Sequence, residues 1–112
     1  MANILIVDDD PGILEALGRI IKLEEHTAFE AAGGDDALDV LRAHHIDLAF
    51  VDLRMPEMNG IELMRRVREA YPETTLVPMS AVRELLIAPS EFTDAATLTK
   101  PFTVEEVQAV LR

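Results

Sequence analysis

Two runs of consecutive apolar residues break off on carboxylates. Ile4-Leu5-Ile6-Val7 stops at Asp8-Asp9-Asp10, and Leu48 to Val51 stops at Asp52. A third strand-like run, Thr97 to Thr99, stops at Lys100-Pro101. Unbroken β-branched and aliphatic runs are the mark of strands covered on both faces, since one-sided strands alternate apolar with polar residues. Stretches with apolar residues at helical spacing lie between them. Strands that alternate with helices need crossovers, which are right-handed, so the chain predicts an α/β fold: a parallel sheet with helices on both faces. The pattern yields the class and leaves the strand order open.

Taken in order, Ile4 to Val7 predicts a central strand. Asp10 then serves as an N-cap and Pro11 as the first position of a helix reaching about Leu23, with Ile13, Leu14, Leu17, Ile20 and Ile21 at helical spacing. His26 to Ala31 is a more polar strand expected near an edge, and Gly33-Gly34 turns the chain. Asp35-Asp36 open a helix with Ala37, Leu38, Val40 and Leu41 inward, at the end where the helix dipole favours acids. Ile46 to Val51 is the third strand. Gly60 precedes a third helix with Ile61, Leu63, Met64 and Val67 inward and Arg65, Arg66 and Arg68 outward, stopped at Tyr71-Pro72 because the residue before proline resists the helical region. Leu76 to Met79 predicts a fourth strand ending at Ser80, with a bulge where Pro78 lacks a donor. Val82 to Thr93 has room only for a stub of helix before Pro89. Ala95 to Thr99 predicts the fifth strand, and Thr103 with Glu106 forms a capping box for a last helix through Val104, Val107, Val110 and Leu111.

At 112 residues the chain has the size of one domain, here residues 1–112. Aromatic residues make up only 4%, so aliphatic side chains must fill the core. A formal charge of -11 opposes direct contact with nucleic acid or anionic lipid. With no cysteine, disulfides and thiolate metal sites are excluded. The run Ile4 to Val7 is too short for a membrane span or a signal-peptide core, and the expected location is cytoplasmic.

In open α/β sheets ligands bind outside the carboxyl ends of the strands, which is where Asp8, Asp9, Asp10, Asp52 and Lys100 fall. Carboxylates gathered there repel one another unless a cation neutralises them. The donors are all oxygen, which favours a hard cation, and Mg2+ needs only one or two carboxylates together with water and a phosphate oxygen. Asp9 and Asp52 are the leading ligands. A carboxylate at such a site can also attack phosphorus, Lys100 can supply positive charge to phosphoryl oxygens, and Ser80 can add a hydrogen bond.

Four motifs in order, Ile4 to Asp10, Val51 to Gly60, Ser80-Ala81 and Lys100-Pro101-Phe102, resemble the receiver domains of two-component response regulators over essentially the whole chain. The resemblance implies a flavodoxin-like (βα)5 fold, doubly wound, with a five-stranded parallel sheet. It implies Asp52 as phosphoacceptor from a histidine kinase or a phosphotransfer protein. Asp9, Asp52 and the Arg54 backbone carbonyl would be Mg2+ ligands, with Asp8 acting through water, and Ser80 and Lys100 the phosphoryl-sensing pair. It further implies a cis Lys100-Pro101 bond, slow self-catalysed loss of the phosphoryl group, an output domain or downstream protein as partner, and phosphorylation-dependent dimerisation as one partner arrangement.

The chain departs from the family between Ser80 and Lys100. Thr97 stands where an aromatic residue is usual, Thr93 where glycine is common, and the interval is slightly short. The expected response to phosphorylation is therefore a change of order in Val82 to Thr93 and not a ring flip. Two other functions compete. A Mg2+-dependent aspartyl phosphatase shares the Asp cluster, but Asp8-Asp9-Asp10-Pro11-Gly12 lacks the threonine of its motif, and the chain has no room for a substrate-selecting cap. A scaffold that binds without phosphorylation is the other. His44 and His45 are read as residues at a helix C-terminus rather than metal ligands, and Met55, Met58 and Met64 as packing.

Overall fold

A computed structural model describes residues 1–55, 59–81 and 97–112. The elements run β1 (Asn3–Val7), α1 (Pro11–Leu23), β2 (Thr27–Ala31), α2 (Gly34–Ala43), β3 (Leu48–Asp52), α3 (Gly60–Ala70), β4 (Thr75–Ser80), β5 (Leu98–Thr99) and α4 (Val104–Leu111). All strand pairs are parallel, in the order β2-β1-β3-β4-β5. The chain goes outward from β1 to β2, then returns past β1 and builds the sheet the other way. That is the doubly wound, flavodoxin-like arrangement, whose switch point opens a crevice beyond the carboxyl ends of β1 and β3.

The twofold period of the strands divides the core in two. Leu5 and Val7 of β1 and Ala49 and Val51 of β3 pack with Ala37 and Leu41 of α2 and Leu63, Met64 and Val67 of α3. Their neighbours Ile4, Ile6 and Phe50 face the other way, against Leu17, Ile20 and Ile21 of α1 and Val107 of α4. Both faces are therefore covered, which is why the strand sequences show no polar alternation. The more polar β2 lies at the edge, with Thr27 and Glu30 exposed.

Helix starts follow the local chemistry. Asp10 caps α1 by accepting from the Gly12 amide at 2.8 Å, and Pro11 occupies the first turn. Asn59 caps α3 through the Glu62 amide at 2.8 Å. Thr103 and Glu106 form both halves of a capping box at α4. In α4, Val107 is buried, Val110 and Leu111 are half-buried and Val104 is exposed.

Four expectations need correction or fall elsewhere. The bulge at Pro78 is absent, since β3 and β4 pair one to one from Leu48 and Thr75 to Asp52 and Met79. The Met79 carbonyl accepts from Leu53 on the β3 side, and the Ser80 carbonyl from Lys100 on the β5 side. By alternation Pro78 turns its missing donor toward β5 and costs the β3 ladder nothing. The third strand starts at Leu48, with Ile46 buried just ahead of it. The fifth strand is only Leu98–Thr99, with Thr97 exposed before it. Residues 95 and 96, like the stub helix expected from Val82 to Thr93 and its change of order, lie outside the described residues.

Gly60 is where α3 meets the end of β3. A Cβ there would lie 2.7 Å from the Leu53 Cα and 2.9 Å from the Asp52 carbonyl carbon, closer still to the Asp52 carbonyl oxygen. These are backbone atoms with no rotamer to yield. Gly60→Ala is expected to lower stability by about 2 kcal/mol, the scale of an overpacked site, as read from urea unfolding.

Candidate functional site

The carboxyl ends of β1, β3, β4 and β5 bring five of the expected residues to one rim. Asp8 follows β1 immediately, Asp52 is the last residue of β3, Ser80 ends β4 and Lys100 follows β5. Asp8, Asp52 and Ser80 are buried, at 0%, 5% and 2% exposure, and Asp9 is exposed. Carboxylate oxygens of Asp8, Asp9 and Asp52 all lie within 4.8 Å of one another. Lys100 reaches across β3 and β4 to both buried acids, with Nζ 2.6 Å from Asp8 Oδ2 and 3.5 Å from Asp52 Oδ1. The Lys100-Pro101 bond is cis.

Main-chain amides fix the two buried carboxylates. The Asp10 amide donates to Asp8 Oδ1 at 2.9 Å, and the Arg54 amide to Asp52 Oδ1 at 3.2 Å. The strand ends are held in turn: Asp8 donates its amide to the Ala31 carbonyl, Leu53 to Met79 and Lys100 to Ser80. Three oxygen donors within a few ångströms, one of them exposed and open to water, form a set suited to a hard divalent ion such as Mg2+.

Two roles at the site were not legible in the sequence. Asp10 is a helix cap, yet its amide also orients Asp8, a role set by the turn between them and carrying no residue signature. Gly60 was visible as turn chemistry, but its approach to the Asp52 backbone is a contact across space. The histidines stay away from the rim: His44 caps α2 and stacks on Phe29 at 4.5 Å, and His45 pairs with Asp47 at 3.1 Å. Met64 is buried and Met55 half-buried against the core, while Met58 lies outside the described residues.

Burial pushes the Asp52 carboxyl above the usual carboxylate range; the Arg54 amide opposes the rise, the charge of Asp8 adds to it and Lys100 opposes it. Burial works against the charge of Lys100, but its hydrogen bond to Asp8 and the attraction of Asp8 and Asp52 prevail and raise its pKa. A carboxyl whose pKa is higher folded than unfolded binds more protons in the folded state, so its ionisation destabilises the fold as pH rises through that window. In chelator, Asp52→Asn is therefore expected to raise the unfolding midpoint by a few degrees at neutral pH. The advantage shrinks as acid protonates Asp52 in the parent, a trend that thermal unfolding across pH will show.

The family model for the response regulator receiver domain matches residues 4–112. The chain is 34% identical over 112 residues to sporulation initiation phosphotransferase F of Bacillus subtilis, covering 98% of this chain and 90% of that one. It is 36% identical to the heme response regulator HssR of Staphylococcus saprophyticus, covering all of this chain but 52% of the relative, so it spans about half of that protein. Among solved structures it resembles the signal receiver domain of an HD domain-containing protein from Pseudomonas fluorescens, with TM-score 0.92, 30% identity and 99% and 91% of the two chains covered. It also resembles the response regulator TrrA of Thermotoga maritima in complex with Mg2+ and BeF, with TM-score 0.90, 26% identity and 99% and 96% covered. Among the described residues no helix is long and apolar enough to cross a membrane. With the phosphoacceptor fold and an acidic cluster at its switch point, the chain belongs to the receiver domains of two-component response regulators, phosphoacceptor switches rather than enzymes in the ordinary sense.

Proposed function

We propose that residues 1–112 act as one receiver domain in which Asp52 accepts a phosphoryl group from a histidine kinase or a phosphotransfer protein in the cytoplasm. The observation that carries this reading is the reach of Lys100 to Asp8 and Asp52 together, at 2.6 and 3.5 Å, beside the exposed acid Asp9. Asp8, Asp9, Asp52 and the Arg54 carbonyl would hold Mg2+, the ion present in the TrrA complex, with Asp8 acting through water. Bound there, Mg2+ supplies positive charge to phosphoryl oxygens and relieves the repulsion among the acids.

An Asp52 carboxylate oxygen attacks the donor phosphorus, forming a P–O bond as the bond to the phosphohistidine nitrogen breaks, and the imidazole leaves with that electron pair. The Arg54 amide, on Asp52 Oδ1, limits the rotation of the nucleophile. Lys100 exchanges part of its contact with Asp8 and Asp52 for a phosphoryl oxygen, and Ser80 donates to another. Water later attacks the same phosphorus and returns the carboxylate, so the switch resets itself. The changed surface acts on an output domain, a downstream protein or a second receiver.

The test is mass spectrometry of the intact chain after incubation with Mg2+ and a small phosphodonor such as acetyl phosphate. One phosphoryl group should appear and decay slowly on removal of the donor; chelator should prevent it and Asp52→Asn abolish it. Lys100→Ala should slow labelling on the order of a hundredfold, the cost of losing one donor to a developing phosphoryl charge. An equal adduct on Asp52→Asn would overturn the assignment of the acceptor. No adduct and no donor turnover would leave a binding scaffold, and repeated turnover of phosphate esters would make the protein an enzyme.

A further inference from the structure

Both oxygens of the buried Asp8 carboxylate are engaged. Oδ2 takes the Lys100 ammonium at 2.6 Å, and Oδ1 takes the Asp10 amide at 2.9 Å. The second bond comes from the main chain two residues on, so the direction in which Asp8 presents its carboxylate is tied to the peptide plane between Asp9 and Asp10. Any residue at position 10 supplies that amide. What the aspartate adds is a side chain that holds the plane in place.

The backbone of Asp10 is extended, with φ -92° and ψ 112°, as suits an N-cap and a residue that precedes proline. Its carbonyl accepts from the Ile13 and Leu14 amides at 3.1 and 3.2 Å, and its Oδ1 accepts from the Gly12 amide at 2.8 Å. Gly12 leaves the carboxylate this place, since a Cβ there would lie 3.2 Å from the same oxygen. Asp10 is exposed, and its carboxylate is spent on α1, while the acids whose oxygens gather within 4.8 Å are Asp8, Asp9 and Asp52. One chain of hydrogen bonds thus runs from the first turn of α1, through a single peptide, to the buried acid. Groups that fix a metal's ligand without touching the metal set how well the ligand binds it.

We propose that Asp10 is a positioning residue for the rim: its cap on α1 holds the amide that aims Asp8, and its side chain thereby sets the affinity for Mg2+, an inference that rests on the proposed binding of Mg2+ among Asp8, Asp9 and Asp52. Substitutions at this position separate the cap from the charge. Asp10→Asn keeps a capping oxygen and removes the charge, Asp10→Glu keeps the charge outside the set of good caps, and Asp10→Ala removes both. In calorimetric titration with Mg2+ at physiological salt and without a phosphodonor, Asp10→Asn should bind within about twofold of the parent, because an exposed charge is screened. Asp10→Glu and Asp10→Ala should each bind about tenfold more weakly, the lower end of the cost of losing a partner to a metal ligand. Hydrogen exchange of the residue 10 amide should speed up in those two variants and not in Asp10→Asn. The proposal is overturned if Asp10→Glu binds like the parent and Asp10→Asn does not, which makes charge the cause. It is equally overturned if every variant binds like the parent while Asp10→Ala only lowers the urea midpoint, which leaves a purely structural cap. A parent that takes up no Mg2+ defeats the reading of the rim together with this inference; a parent that binds Mg2+ but accepts no phosphoryl group defeats the acceptor reading alone.

Discussion

Three carboxylates within 4.8 Å of one another repel, and among the described residues one ammonium opposes them from the far end of the chain. Asp8 and Lys100 are 92 positions apart in sequence and 2.6 Å apart in space. Their meeting requires the whole sheet: β1 and β3 side by side, β4 on β3, and β5 on β4. Because parallel pairing aligns every strand in one direction, all four strand ends open on the same rim. A meander of antiparallel strands would have sent alternate ends to opposite sides.

The rim is held at a cost to the fold. Asp8 is fully buried and Asp52 nearly so, and a buried charge is tolerated only where it is paired and hydrogen-bonded. Asp8 meets that condition through Lys100 and the Asp10 amide. Asp52 meets it less completely, with a longer contact to Lys100 and one main-chain amide, and its pKa rises accordingly. The less satisfied acid is the one with unspent capacity for a new bond. Strain of this kind at a working position is carried by the apolar packing on both faces of the sheet.

Much of this was legible in the sequence because its signals are local. Apolar runs ending on Asp8 and Asp52 and a strand-like run ending on Lys100 marked strands and their polarity, and Asp10, Pro11, Tyr71-Pro72, Thr103 and Glu106 marked helix ends through bonds spanning four residues or fewer. The strand order came only with the family resemblance, since no residue pattern within one strand encodes which neighbour it takes. Pro78 misled because the cost of its missing donor depends on which side of the strand it faces, and that is a property of the pairing. The tight seat of Gly60 on Asp52 and Leu53 was hidden for the same reason. The shortened fifth strand reflects Thr97, which is exposed and has no bulky apolar side chain to bury.

The lysine that balances the acids stands just beyond a strand of two residues at the margin of the sheet. On its inner side, a hydrogen bond from its own amide to Ser80 ties it to β4; on its outer side, four residues on, the capped α4 begins. Margins of sheets open more often than their centres. Whenever β5 lifts, the ammonium leaves with it and the aspartates face each other unscreened. The local charge balance and the fraying of that margin are therefore a single equilibrium, and whatever grips the chain on either side of Lys100 also sets the electrostatic state of the rim.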